Sequence, residues 1–133
     1  MKVFVDTSAI LALLDKKDHQ TLTAWDIWHY LAETKAELAT TNYVIVESSA
    51  LLQSRLGLEA VRDFQKLFVP LLDPTWVDES LHNLGMGFML AANRRKLSLV
   101  DCVSFAAMRE MSIEHYFAFD EHFAEQGFTR VNV

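Results

Sequence analysis

Short apolar runs alternate along this chain with segments of helical periodicity, and that alternation restricts the fold more than any other feature. K2-V-F-V5 is a candidate strand ending at Asp6, E37-L-A-T-T41 a second, and Y116-F-A-F119 another that ends at Asp120. A short strand is expected around Pro74 within residues 71–77, and a last turn precedes T129-R-V-N-V133. Between them, residues 8–15 read as a short helix and residues 21–33 as a second, with Leu22, Trp25, Trp28 and Leu31 at helical spacing. A third helix starts at Asn42 or Tyr43 and runs through Leu56, where Gly57 stops it. Residues 58–68, 80–96 and 98–111 complete the helical set; Gly85 and Gly87 weaken the second of these. Strands interleaved with helices predict an α/β fold, one three-layer α/β/α domain over residues 1–133 with a mostly parallel central sheet.

Composition narrows the function classes. The chain is 51% hydrophobic and 23% charged over 133 residues, enough apolar material for a sizeable core and the reverse of a disordered composition. One cysteine, Cys102, excludes an internal disulfide framework and any CxxC metal site, and fits a reducing compartment. No segment reads as a signal peptide or a membrane span, since Asp6 interrupts the apolar N-terminus and the longest uncharged run is short and polar. The expectation is a soluble cytoplasmic protein. With 18 acidic against 12 basic residues the net charge is −6, the wrong sign for a nucleic-acid binder that relies on overall charge. A cluster of carboxylates holding divalent cations would account for part of that acid.

Four acids are placed to form such a cluster. Ligands of open α/β sheets gather at the carboxyl ends of the strands, and Asp6 and Asp120 lie there. Glu47 falls early in the helix after the second strand, and Asp101 in the first turn of its own helix. Three of them have a plainer explanation. Asp6 and Asp120 suit helix N-caps, and Ser98-x-x-Asp101 fits a capping box. Glu47 has none: Val44, Ala50 and Leu51 are its neighbours at i−3, i+3 and i+4, so it is expected toward the core side, where a glutamate needs a partner. That partner is either an arginine, with Arg55 and Arg109 the candidates, or a cation shared with the other acids. Crowded carboxylates raise one another's pKa unless a cation intervenes. Mg²⁺ or Mn²⁺ suits an oxygen-only site and can activate water toward a phosphodiester.

The motifs V5-D6-T7-S8-A9, V46-E47-S48-S49, S98-L-V-D101-C-V-S104-F105 and F119-D120-E-H122-F123 resemble the PIN domain, most nearly the VapC-type toxin nucleases of toxin–antitoxin pairs. The resemblance spans nearly the whole chain and keeps all four acids in family order. It implies an endoribonuclease dependent on Mg²⁺ or Mn²⁺, with Asp6 and Asp101 as main metal ligands, Glu47 as ligand or water-positioning base, and Asp120 as a second-site ligand. Thr7 would support Asp6 by hydrogen bonding, and Ser104 would be a further supporting residue. A homodimer and a cognate antitoxin protein are implied as well.

Other residues carry two readings. Arg94-Arg95-Lys96, the only basic triplet, is either a solvated helix C-terminus or a phosphate-binding rim for RNA; Lys16-Lys17 admits the same pair. His122 reads as a surface histidine beside a cap, Cys102 as a small buried hydrophobe. The tryptophan stripe of residues 21–33 reads as core, or as a face for a second subunit or an inhibitor helix. Two rival functions remain: a catalytically decayed module that binds RNA or protein, and a phosphatase with Asp6 as nucleophile. The second lacks the usual Asp two residues on, where Ser8 stands.

Overall fold

In a computed structural model that describes residues 1–133, β1 (Lys2–Val5) occupies the centre of a five-stranded sheet. Its Val3, Phe4 and Val5 are wholly buried, as expected for a parallel strand covered on both faces. The chain then runs through α1 (Thr7–Leu14), α2 (Thr21–Glu33), β2 (Glu37–Thr41), α3 (Asn42–Leu56), α4 (Leu58–Asp63) and β3 (Asp73–Thr75). It continues through α5 (Glu79–Ala92), α6 (Leu99–Glu110), β4 (His115–Phe117), α7 (His122–Glu125) and β5 (Thr129–Arg130). The strand order is β3-β2-β1-β4-β5 and every pairing is parallel. The sheet is therefore wholly rather than mostly parallel. Right-handed crossovers put the helices of the first half on one face and those after β3 on the other, which makes the three layers.

That order fixes where a ligand can sit. The chain walks outward from β1 to β3 and then jumps back to lay β4 on the other side of β1. The reversal opens a crevice at the carboxyl ends of β1 and β4. Asp6 follows the first of these strands directly.

Several boundaries differ from the sequence reading, each for a local reason. β4 stops at Phe117 instead of Phe119 because the Phe119 N–H leaves the ladder to donate to Ser8 Oγ at 2.9 Å. α5 ends at Ala92, capped by Asn93 in the left-handed conformation (φ 52°), which asparagine tolerates well. Residues 94–96 therefore lie in the connection to α6 and not in a helix C-terminus. The helix expected over residues 58–68 widens into a π-helical turn after Asp63 and closes with a 3₁₀ turn over Val69–Leu71. Pro70 has no N–H to give and crowds the turn before it. In α2 the buried positions are Ala24, Ile27 and Leu31; Trp25 and Trp28 flank them and pack on Phe68, and Leu22 is exposed.

Gly85, in the middle of α5, is a packing requirement. A Cβ there would overlap the Val103 side chain and lie 3.0 Å from its backbone, so α5 and α6 approach closely only because that position is bare. On the sheet side of α6, Phe105 and Phe123 meet edge to face at 5.0 Å, and Tyr116 of β4 stacks on Phe123 at 5.0 Å. These contacts fix α6, and with it Asp101, against the strand that leads to Asp120.

Candidate metal centre at the carboxyl edge of the sheet

Asp6 is both a helix cap and a buried acid. Its Oδ2 accepts from Ser8 N at 3.2 Å and from Ser8 Oγ at 3.0 Å, starting α1. Its Oδ1 is buried and has no hydrogen-bond partner at all. Burial, then the nearby charges of Asp120 and Asp101, push its pKa up to about 7 against the hydrogen bonds from Ser8. An orphaned buried carboxylate oxygen beside two further acids is costly for the fold unless a cation meets it.

Asp101 likewise does two jobs. It completes the capping box of α6: Ser98 N donates to Asp101 Oδ2 at 3.2 Å, and Asp101 N to Ser98 Oγ at 3.1 Å. Burial nonetheless raises its pKa, helped by the Glu47 charge and opposed by the Ser98 bonds and His122. Asp120 accepts from the His122 N–H at 3.0 Å, and burial followed by the Asp101 charge raises its pKa too. Capping and clustering were alternatives in the sequence; in the fold Asp6 and Asp101 do both, because a cap engages one oxygen and leaves the other, whereas Asp120 is not the N-cap of α7, a place that Glu121 takes.

Glu47 is half-buried, accepts no hydrogen bond and forms no salt bridge. The expectation that it points into the core needs correction, since α3 buries Val44, Ser48 and Leu52 while Val46 and Ala50 are exposed. Glu47 flanks that stripe and faces the Asp101 side of the cleft, close enough for its charge to disfavour ionised Asp101. The arginine alternative fails. Arg109 donates to Gln126 Oε1 at 3.0 Å and lies over Phe88 and Phe128, and Arg55 lines a cavity with Asp120.

The four acids thus interact, yet nowhere do three His, Cys, Asp or Glu side chains close into a ready-made metal-binding group. Uncompensated like charges have no reason to close on one another. The donor set is oxygen only, as Mg²⁺ and Mn²⁺ prefer, and the unpartnered Asp6 Oδ1 is the vacancy in its hydrogen bonding that such an ion would fill.

Two supporting roles are corrected. Thr7 does not bond Asp6; its Oγ1 donates to Val44 O at 3.5 Å and accepts from Ser48 Oγ at 3.1 Å, tying α1 to α3. Ser8 takes the expected place, and an Asp-x-Ser start to a helix was the available signal. Ser104 turns its hydroxyl back to Val100 O at 2.8 Å, inside its own helix. His122 is more than a surface neighbour. Its Nδ1 lies 3.2 Å from Glu125 Oε1, which Arg94 also holds at 3.2 Å, and its charge favours ionised Asp101 and Asp120. Arg94 is therefore committed to Glu125, while Arg95 and Lys96 stay exposed and unpaired. Burial pushes the Cys102 thiol up to about 11, so it is an inert part of the packing.

Comparison with known proteins adds a family to this geometry. The PIN domain family model matches residues 3–128. The chain is 31% identical over 130 residues, 97% of each protein, to the 23S rRNA-specific endonuclease VapC20 of Mycobacterium tuberculosis. It resembles the crystal structure of that protein, a Sarcin-Ricin loop cleaving toxin, at TM-score 0.85 and 30% identity over 97% of this chain and 98% of that one. FitAcB from Neisseria gonorrhoeae shares the fold at TM-score 0.66 and 15% identity, over 99% of this chain and 97% of that one.

Proposed function

The chain belongs to the PIN-domain family, and from that we propose that it is a Mg²⁺- or Mn²⁺-dependent endoribonuclease, the toxin of a toxin–antitoxin pair. The observation that carries the reading is Asp6, a buried acid with one unsatisfied oxygen beside Asp101 and Asp120. Asp6 and Asp101 are the main metal ligands and Asp120 completes the set. A bound divalent ion would neutralise these acids, polarise a phosphodiester and activate a water. Glu47, unpaired at the mouth of the cleft, orients the attacking water and accepts its proton. Ser8 holds Asp6 in place, and the Glu125–His122 pair steadies the Asp120 side.

Ribosomal RNA is the first substrate to try, because the relative at 31% identity is named for 23S rRNA. By the same likeness to a toxin, a cognate antitoxin protein covers the cleft, two copies pair as a homodimer, and the protein works in the cytoplasm beside its substrate. No helix is long and apolar enough to cross a membrane.

The test is cleavage of purified ribosomal RNA with Mg²⁺ or Mn²⁺, with EDTA, and with Asp6→Asn and Asp101→Asn. Loss of a ligand should cut the rate at least about 100-fold, more than the loss of groups that only support ligands. Undiminished cleavage in EDTA, or by both variants, would overturn the assignment.

A further inference from the structure

We propose that the phosphate backbone of single-stranded RNA leaves the carboxylate site along a groove walled by Arg55, Lys16 and Lys17. The inference rests on the ribonuclease reading and extends it to the substrate's path. A cavity of about 270 Å³ opens beside the acids, its lining including Ser8, Asp18, His19, Arg55, Phe119 and Asp120. Arg55 also lines a neighbouring cavity of about 500 Å³ whose wall includes Lys16 and Lys17. Arg55 is common to both linings, so the two cavities adjoin at that side chain and the proposed trough runs through both, starting at Asp120.

Three cationic side chains of this trough are free to meet a polyanion. Arg55 lies in the last turn of α3 and the two lysines follow the end of α1, so only the packing of α1 on α3 brings them together. None of the three is in a salt bridge, whereas Lys2, Arg62 and Arg94 each pair with a glutamate. Three of the acids along the same walls are engaged locally, whereas Asp63 of the larger cavity has no partner. Asp15 Oδ1 accepts from Lys17 N at 3.0 Å, Asp18 Oδ1 from Gln20 N at 2.7 Å, and Glu59 pairs with Arg62 at 3.6 Å. Phe119 adds an aromatic wall, backed by the Arg130 guanidinium 5.0 Å from its ring centre. Unpaired cations with an aromatic face are the usual furniture of a single-strand channel. With a net charge of −6, RNA binding would rest on these three cations and not on overall charge.

The probe is a fluorescein-labelled single-stranded RNA oligonucleotide titrated with wild type, with K16A/K17A/R55A and with R95A/K96A, all in EDTA so that binding is read without cleavage. The triple variant should raise Kd about tenfold or more near 0.1 M salt, and should flatten the slope of log Kd against log salt by about 2, from roughly 0.7 per lost phosphate contact. Its melting temperature and its stabilisation by Mg²⁺ should match the wild type, since the three side chains are exposed and none is a carboxylate. In the cleavage assay KM should rise with kcat little changed. An unchanged Kd and salt slope in the triple variant, or an equal or greater loss in R95A/K96A, overturns the groove. RNA that binds through these residues but is not cut with either metal rejects the nuclease reading and leaves the groove standing. Cleavage with wild-type KM by the triple variant does the opposite, and a wild type that binds no RNA in EDTA overturns the groove.

Discussion

Asp6 carries a pH dependence whose sign differs from that of an ordinary surface carboxylate. In the fold it holds its proton up to about pH 7, whereas an unfolded chain releases it near its ordinary 3.8. Between those values the folded state binds more protons, so the metal-free protein loses stability as pH rises from about 4 to 7. Asp6→Asn should flatten that slope, leaving the share that Asp101 and Asp120 contribute, and should be as stable as wild type, or more so, at pH 8 without metal; thermal melts across pH 5–8 in EDTA check this. A wild type that gains stability over the same range relative to the variant contradicts the crowded-acid picture. Ser8 gives the complementary case. Its hydroxyl donates to Asp6 and accepts from the Phe119 N–H, so Ser8→Ala leaves a buried carboxylate less satisfied and frees a backbone donor. A loss of about 1–3 kcal/mol in urea titration is expected, together with weaker Mg²⁺ binding.

At the scale of elements, α5 holds two interior glycines with opposite meanings. Gly85 faces Val103 with no room for a Cβ, while Gly87 is exposed and would meet nothing within 4 Å. Gly85→Ala should destabilise the fold by about 1–3 kcal/mol through overpacking. Gly87→Ala should stabilise it by up to about 1 kcal/mol through helix propensity alone. Equal effects in chemical denaturation would mean that the α5–α6 contact is looser than described. The sequence could flag both glycines as weak points in a helix, yet nothing local separates them; the difference is which one faces α6. The same limit applies to α3, where periodicity placed Glu47 toward the core and the packed stripe fell one position away, on Ser48.

For the whole molecule, metal binding and folding should be coupled. Mg²⁺ or Mn²⁺ should raise the melting temperature of wild type in a concentration-dependent way, and do so much less for Asp101→Asn. A metal-activated water also leaves the substrate's own 2′-hydroxyl without a role. RNA methylated on that oxygen next to the cut should therefore be cleaved as fast as unmodified RNA. Complete protection would point to attack by the hydroxyl instead.

The alternation of apolar strands and helices, the capping residues and the four acids in family order were all legible in the sequence, because each depends on near neighbours along the chain. Asp6 after a buried strand and Ser98 with Asp101 are local patterns, and the structure keeps them. What tertiary structure alone decided is which distant groups meet. It set Asp101 and Asp120 beside Asp6, exchanged Thr7 for Ser8 as its support, drew Arg94 away to Glu125, and carried Arg55 to the lysines after α1. Such meetings depend on strand order and on helix crossings, which sum many weak contacts over the whole core. No short window of residues contains that information.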